Sequence, residues 1–148
     1  MQKILFVCTG NTCRSPLAQV LAQKLFDDSG LGFVADGAGV FAYDGDEASA
    51  NSAKIASRLG LTLDAHVAKC VTLESIEEAR LVVCLTTGHK NHLLATYPKY
   101  IEKIMTLSEL CGDDIDISDP FGGSLEIYEK CATQIKQYIE KIDWRIYL

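Results

Sequence analysis

The chain has 148 residues, 48% of them hydrophobic and 23% charged, which is enough to bury the core of one domain spanning 1–148. A net charge of −6 excludes the basic stripe that a nucleic-acid surface needs, and no run approaches the ~18 apolar residues of a membrane span, so neither nucleic acid nor membrane is expected as a partner. Only five apolar residues separate Lys3 from Thr9, too few for a secretory segment, which points to the cytoplasm.

Residues 3–8 read as a strand covered on both faces, because Ile4-Leu5-Phe6-Val7 is continuously apolar. Cys8-Thr9-Gly10-Asn11-Thr12-Cys13-Arg14-Ser15 follows as a strand-to-helix turn, with Ser15 placed to cap the next helix and Pro16 to open it. Leu17, Val20, Leu21 and Leu25 recur at helical spacing as far as Gly30. Residues 33–40 form a second predicted strand, which passes through Gly37-Ala38-Gly39 into the polar loop Tyr43-Asp44-Gly45-Asp46. A helix over 48–59 closes at Gly60, and a connection over 63–71 carries His66. Then come a short helix over 73–79, an apolar strand over 81–85, a helix over 89–97 stopped by Pro98, and a last strand over 104–107. The loop 111–124 holds four acidic residues, one Pro and three Gly, and Ser124 opens an amphipathic helix whose apolar face runs from Leu125 and Tyr128 through Cys131 and Ile135 to Ile142.

Strands alternating with helices at this spacing predict an α/β fold: a single three-layer αβα domain, with a four-stranded parallel twisted sheet and helices on both faces. Ligands of such sheets sit at the carboxyl ends of the strands, where the turn after the first strand lies.

That turn has the chemistry of an anion cradle. Its main-chain N–H groups over Thr9, Gly10, Asn11, Thr12, Cys13 and Ser15 can converge on a tetrahedral oxyanion, the following helix adds the positive end of its dipole, and Arg14 can grip two oxygens. Gly10 and Asn11 are the residue types that tolerate a left-handed backbone. Cys8 stands at the mouth of the same field, where it is expected to attack as the thiolate. A Walker loop is excluded because no Gly-Lys-Ser/Thr ending is present, and a Rossmann fingerprint fails for want of its glycines. Of the six cysteines, Cys84 and Cys131 read as small core hydrophobes, and no Cys or His spacing suits zinc; neither a metal nor a cofactor is expected. Cys13 lies five positions from Cys8, so a reversible Cys8–Cys13 disulfide and a thiol simply packed under the loop are both open readings.

Residues 8–16, from Cys8 to Pro16, resemble the signature loop of the low-molecular-weight protein tyrosine phosphatase family, and Asp119-Pro120-Phe121-Gly122-Gly123 resembles its general-acid loop. The similarity runs over nearly the whole chain and implies that family's flavodoxin-like fold. It also implies that Cys8 is the nucleophile, Arg14 the phosphate clamp and Asp119 the general acid and base, with Asn11, Ser15 and His66 as the supporting hydrogen-bond shell. Without the other two groups, Asp119-Pro120 alone would read as an ordinary turn. Where many members have a serine, this chain has Gly37, so the space beside Asn11 is expected to be filled by water or by His66.

Thr12 and the Phe-Gly-Gly run resemble the branch of the family that hydrolyses phosphoarginine. A hydroxyl at Thr12 and the Asp119 carboxylate suit a planar, cationic guanidinium, and Phe121, Phe41 or Tyr43 can stack on its flat face. For these aromatics plain packing at the rim is the other reading. The expected partners are phosphorylated proteins, with inorganic phosphate as product. The rival activities are phosphotyrosine hydrolysis on the same fold, arsenate reduction, which needs a pair of thiols near residue 85 where only Cys84 stands, and anion binding without catalysis.

Overall fold

In a computed structural model of the protein, which describes residues 2–148, β1 (Gln2–Cys8) is a central strand. On one side it pairs with β2 (Phe33–Gly39); on the other it pairs with β3 (Ala79–Cys84), which in turn pairs with β4 (Ile104–Thr106). All pairings are parallel and the order is β2-β1-β3-β4, so the chain reverses its direction of travel across the sheet at β1. That reversal is a switch point, and Cys8, the last residue of β1, stands at its carboxyl edge.

Alternation along β1 sorts its side chains between two cores. Ile4, Phe6 and Cys8 pack with α1 (Arg14–Asp28), α2 (Ala50–Arg58) and α6 (Leu125–Lys141). Leu5 and Val7 pack on the opposite face with Ile76 of α3 (Leu73–Glu78) and Leu93 of α4 (Thr87–Thr96). Both faces of β1 are thus covered, which is why its apolar run is unbroken. Beneath α1, Trp144 meets the rings of Phe26, Phe6 and Phe33 at 5.1, 6.4 and 6.5 Å, and its indole N–H donates to the Ile139 carbonyl. The 3₁₀ turn that carries it, Trp144–Tyr147, has no periodicity to announce it in the sequence.

The element boundaries differ from expectation where a polar side chain binds the backbone. Helix α1 begins at Arg14, so Pro16 is its third residue, still within the first turn where a missing N–H breaks no intrahelical bond. Ser15 does not cap it: Cys13 holds that position without a side-chain bond, and the Ser15 hydroxyl is turned to other use. Ser49 caps α2 and Thr86 caps α4, which moves their starts from 48 to 50 and from 89 to 87. Thr106 and Glu109 form a capping box that ends β4 after three residues, not the expected four, and opens α5 (Leu107–Leu110), whose first residue, Leu107, the sequence pattern assigns to the strand.

Candidate active site

The loop between β1 and α1 is held from beneath and from both sides. Asn11 has φ 55° and is the one described non-glycine residue with a positive φ. The predicted left-handed turn therefore falls at Asn11, the residue whose amide side chain can fix it, and not at Gly10. Asn11 Nδ2 donates to Ser15 Oγ at 2.7 Å, and its Oδ1 accepts the Lys69 N–H at 3.1 Å. With its oxygen so engaged, the Ser15 hydroxyl has its proton free for Cys8 Sγ, 3.0 Å away.

His66 meets the loop through Nε2, 2.7 Å from the Asn11 carbonyl oxygen. A carbonyl only accepts, so this nitrogen carries the proton. Neither His66 nor water fills the space over Gly37, contrary to expectation. A β-carbon on Gly37 would lie 2.8 Å from Gln19 Oε1 and 3.0 Å from Asn11 Nδ2, so Gln19 and Asn11 occupy that space themselves. At the start of α2, the N–H of its cap Ser49 donates to the Thr12 carbonyl and the buried Ser52 hydroxyl to the Cys13 carbonyl.

Arg14 is 4% exposed. Its Nη1 donates to the Ile117 carbonyl at 2.9 Å, and Nη2 lies 3.4 Å from Thr9 Oγ1 and 3.8 Å from Asp119 Oδ2. One guanidinium therefore ties the anion loop to the loop 111–124. Ile117 is itself pinned there, with its N–H bonded to the carbonyl of Leu85, the residue after β3. Asp119 Oδ1 accepts the Phe121 N–H, and Gly122, with φ 77°, sits at the third position of a turn closed from the Gly123 N–H to the Pro120 carbonyl.

Cys8, Thr9, Gly10, Thr12, Cys13, Arg14, Asp119, Phe41, Tyr43 and Phe121 line one cavity of about 300 Å³, so the sequence candidates from three distant stretches meet. Asn11, Ser15 and His66 stand behind its wall. Tyr43 and Phe121 are exposed at its rim, and Phe41 packs edge-on against His92 at 5.0 Å. Cys8 and Cys13 are both free thiols, with Cys13 Sγ 3.5 Å from Tyr128 Oη. Burial, then this contact, pushes the Tyr128 hydroxyl up to about 12. Among the described residues, no group of three or more His, Cys, Asp or Glu could hold a metal ion, and no helix is long and apolar enough to cross a membrane.

Two residues at the site were not singled out from sequence. Asp46 adds a carboxylate to the cavity wall, and nothing but its place in an acidic loop marks it. His89, from α4, is 6% exposed with Nε2 2.9 Å from Thr9 Oγ1 and Nδ1 3.0 Å from Thr86 Oγ1. Burial first, and then the neighbouring Arg14 charge, pushes its imidazole down to about 4, so it is neutral near pH 7. The sequence signal was weak: a Thr three residues before a His is a common helix start.

A thiol at the end of a central strand, an oxyanion cradle with a buried guanidinium, and a carboxylate across the cavity make up the equipment of enzymes that transfer phosphoryl groups to cysteine. The model of the low molecular weight phosphotyrosine protein phosphatase family matches residues 3–146, and the chain belongs to that family. A protein-arginine-phosphatase of Geobacillus stearothermophilus is 37% identical over 95% of this chain and 93% of its own. A low molecular weight protein tyrosine phosphatase from T. tengcongensis is also 37% identical and superposes with a TM-score of 0.92 over 95% of this chain and 97% of that one. A YwlE arginine phosphatase with a phosphorylated active-site serine, from a mutant, is 34% identical, with a TM-score of 0.91 over 95% of this chain and 92% of its own.

Proposed function

We propose that this chain is a protein phosphatase that cleaves the P–N bond of phosphoarginine through a phosphocysteine on Cys8. The observation that carries the reading is the convergence of Cys8, Arg14 and Asp119 on one cavity whose wall also bears Thr12 and Asp46. A phosphoguanidinium needs acceptors around its N–H groups, and the Thr12 hydroxyl and the Asp46 carboxylate offer them, while the Asp119 carboxyl group faces the nitrogen that leaves.

In the first step Cys8 Sγ attacks phosphorus while the equatorial oxygens rest on the loop amides and Arg14. The S–P bond forms, the P–N bond breaks, and protonated Asp119 gives its proton to the departing nitrogen. In the second step Asp119, now a carboxylate, takes a proton from water as its oxygen attacks phosphorus. The S–P bond breaks and inorganic phosphate leaves, with the Cys8 thiolate and protonated Asp119 restored. Ser15 steadies the sulfur anion in both steps, and the Asn11–Ser15 and His66–Asn11 bonds hold the loop in shape.

The phosphorylated serine in the YwlE relative supports covalent phosphoryl transfer to the residue at the nucleophile position. The exposed aromatic rim of Tyr43 and Phe121 favours a second reading, phosphotyrosine hydrolysis by the same steps. Arsenate reduction is disfavoured, because Cys84 lies in the core on the sheet face opposite Cys8 and burial raises its thiol far above the ordinary range. A kinetic comparison of phosphoarginine, phosphotyrosine and phosphoserine peptides tests the proposal. We expect the highest kcat/KM on phosphoarginine; faster turnover of phosphotyrosine would give the site to the second reading. A soluble protein acting on phosphoproteins in the cytoplasm is part of the same proposal, tested by fractionation. The Cys8–Cys13 disulfide is tested by mass spectrometry after mild peroxide, where recovery of only irreversible Cys8 oxidation products would discard it.

A further inference from the structure

Thr9 stands next to the nucleophile, lines the cavity, and is the one loop residue whose side chain is wired to the far face of the sheet. Its polarity follows once the Thr86 proton is placed on His89 Nδ1. The Thr86 hydroxyl accepts the His89 main-chain N–H at 3.2 Å, and the acceptor in reach of its own proton is His89 Nδ1, at 3.0 Å. The neutral ring has a single N–H, so with Nδ1 accepting, that proton sits on Nε2 and is donated to Thr9 Oγ1 at 2.9 Å. Arg14 Nη2 approaches the same oxygen at 3.4 Å. Both lone pairs of Thr9 Oγ1 are then occupied, and its one proton is left for the cavity.

We propose that the Thr9 hydroxyl is a further donor to the bound phosphoryl group, and that His89 is a positioning residue which makes Thr9 donate and steadies the Arg14 fork beside it. The proposal rests on reading the cavity as a phosphoryl site. Phosphoryl oxygens are acceptors only, so a hydroxyl free to rotate would spend part of its time with a lone pair facing them. A hydroxyl whose lone pairs are both engaged cannot. The device therefore needs an aromatic base that is buried, uncharged and of one tautomer, which a surface histidine would not provide.

The test uses orthovanadate and inorganic phosphate as competitive inhibitors of the wild-type enzyme and of five variants, four single and one double. Thr9→Val keeps the shape and removes the donor, and its inhibition constants should rise by about tenfold, the usual cost of a hydrogen bond to an anion. Thr9→Ser should stay within about twofold of wild type. His89→Phe should cost nearly as much as Thr9→Val, and combining the two should add little, because they break one chain of bonds. His89→Gln, whose amide can present an N–H near the Nε2 position, should recover most of the loss. Independently, nitrogen NMR of the unmodified protein should find the His89 proton on Nε2 with Nδ1 bare.

Inhibition constants unchanged in Thr9→Val would overturn the proposal, as would an Nδ1–H tautomer or full additivity in the double variant. The Thr9 variants and the tautomer leave His89 in place, so they decide the question even where His89→Phe fails to fold. If the wild-type protein itself were inhibited by neither oxyanion, the reading of the cavity would fall and this proposal with it. If it is inhibited and only the variants fail to respond, the phosphatase reading stands without the Thr9–His89 device.

Discussion

Cys8 Sγ has the Ser15 hydroxyl at 3.0 Å and the Arg14 guanidinium at the same cavity, so what the sulfur can do depends on its immediate neighbours. Cys8→Ser should lower turnover by at least about 10⁴-fold while binding of inorganic phosphate, measured by calorimetry, survives, because the cradle is otherwise intact. Asp119→Asn keeps the size of the side chain and removes the transferable proton. It should lower kcat on substrates with poor leaving groups by roughly 10² to 10³ and much less on aryl phosphates that leave unaided, a contrast read from steady-state kinetics on the two substrate types. Thr12→Ile exchanges a hydroxyl on the cavity wall for an apolar branch, and the ratio of kcat/KM for phosphoarginine over phosphotyrosine should fall by about tenfold. An unchanged ratio would acquit Thr12 as the discriminator. Cys8 and Arg14 stood out by residue type and spacing around a strand-to-helix turn, whereas Asp119 was picked out by the family resemblance, since Asp119-Pro120 alone reads as an ordinary turn.

At the scale of elements, the site depends on how closely β2 lets the anion loop approach. A β-carbon on Gly39 would lie 2.9 Å from the Asn11 nitrogen and closer still to the Thr9 carbonyl oxygen. Both are backbone atoms of the loop, so they cannot swing aside. Gly39→Ala should destabilise the fold by about 1–3 kcal/mol in urea unfolding and lower kcat/KM, because relief of the clash displaces Thr9 and Asn11. Gly39 looked like a simple strand exit in sequence; its necessity comes from a strand and a loop that are neighbours only after folding. The same holds for the caps. Ser124 was legible as a helix start because an amphipathic pattern follows it, whereas Ser15 looked like a cap by position and like a support of the anion loop by the family resemblance, and its hydroxyl meets Cys8 and Asn11 and does not cap the helix. The hydroxyl had two possible partners, and the loop's curvature brought Cys8 and Asn11 to it.

Over the whole molecule, the two cores share one sheet, and His89 links them by reaching from α4 on one face to Thr9 above its edge. Folding takes this imidazole from the 6.5 of a free side chain down to about 4, with burial the main cause and Arg14 the second. The unfolded chain therefore binds the proton more tightly, and folding stability from this group is complete above pH 6.5 and drains away as the pH falls toward 4, by roughly 3 kcal/mol in all. Urea unfolding at pH 7 and pH 4.5 should show a larger acid loss for the wild type than for His89→Gln, which has no such proton to bind. Equal losses would mean that the ring is not held neutral by the fold.

The amino-acid sequence alone determined the βα alternation, the sheet's parallel character and Cys8 and Arg14 as candidates, because periodicity and residue chemistry are local properties; Asp119 became a candidate through the resemblance of its loop to that of a known family. Only the tertiary structure decided which atom each polar side chain serves: Ser15 the sulfur, Gln19 the space over Gly37, His66 a main-chain carbonyl, His89 the Thr9 hydroxyl. A hydrogen bond needs two groups within about 3 Å, and for residues as far apart as Thr9 and His89 that distance exists only once the sheet has assembled between them.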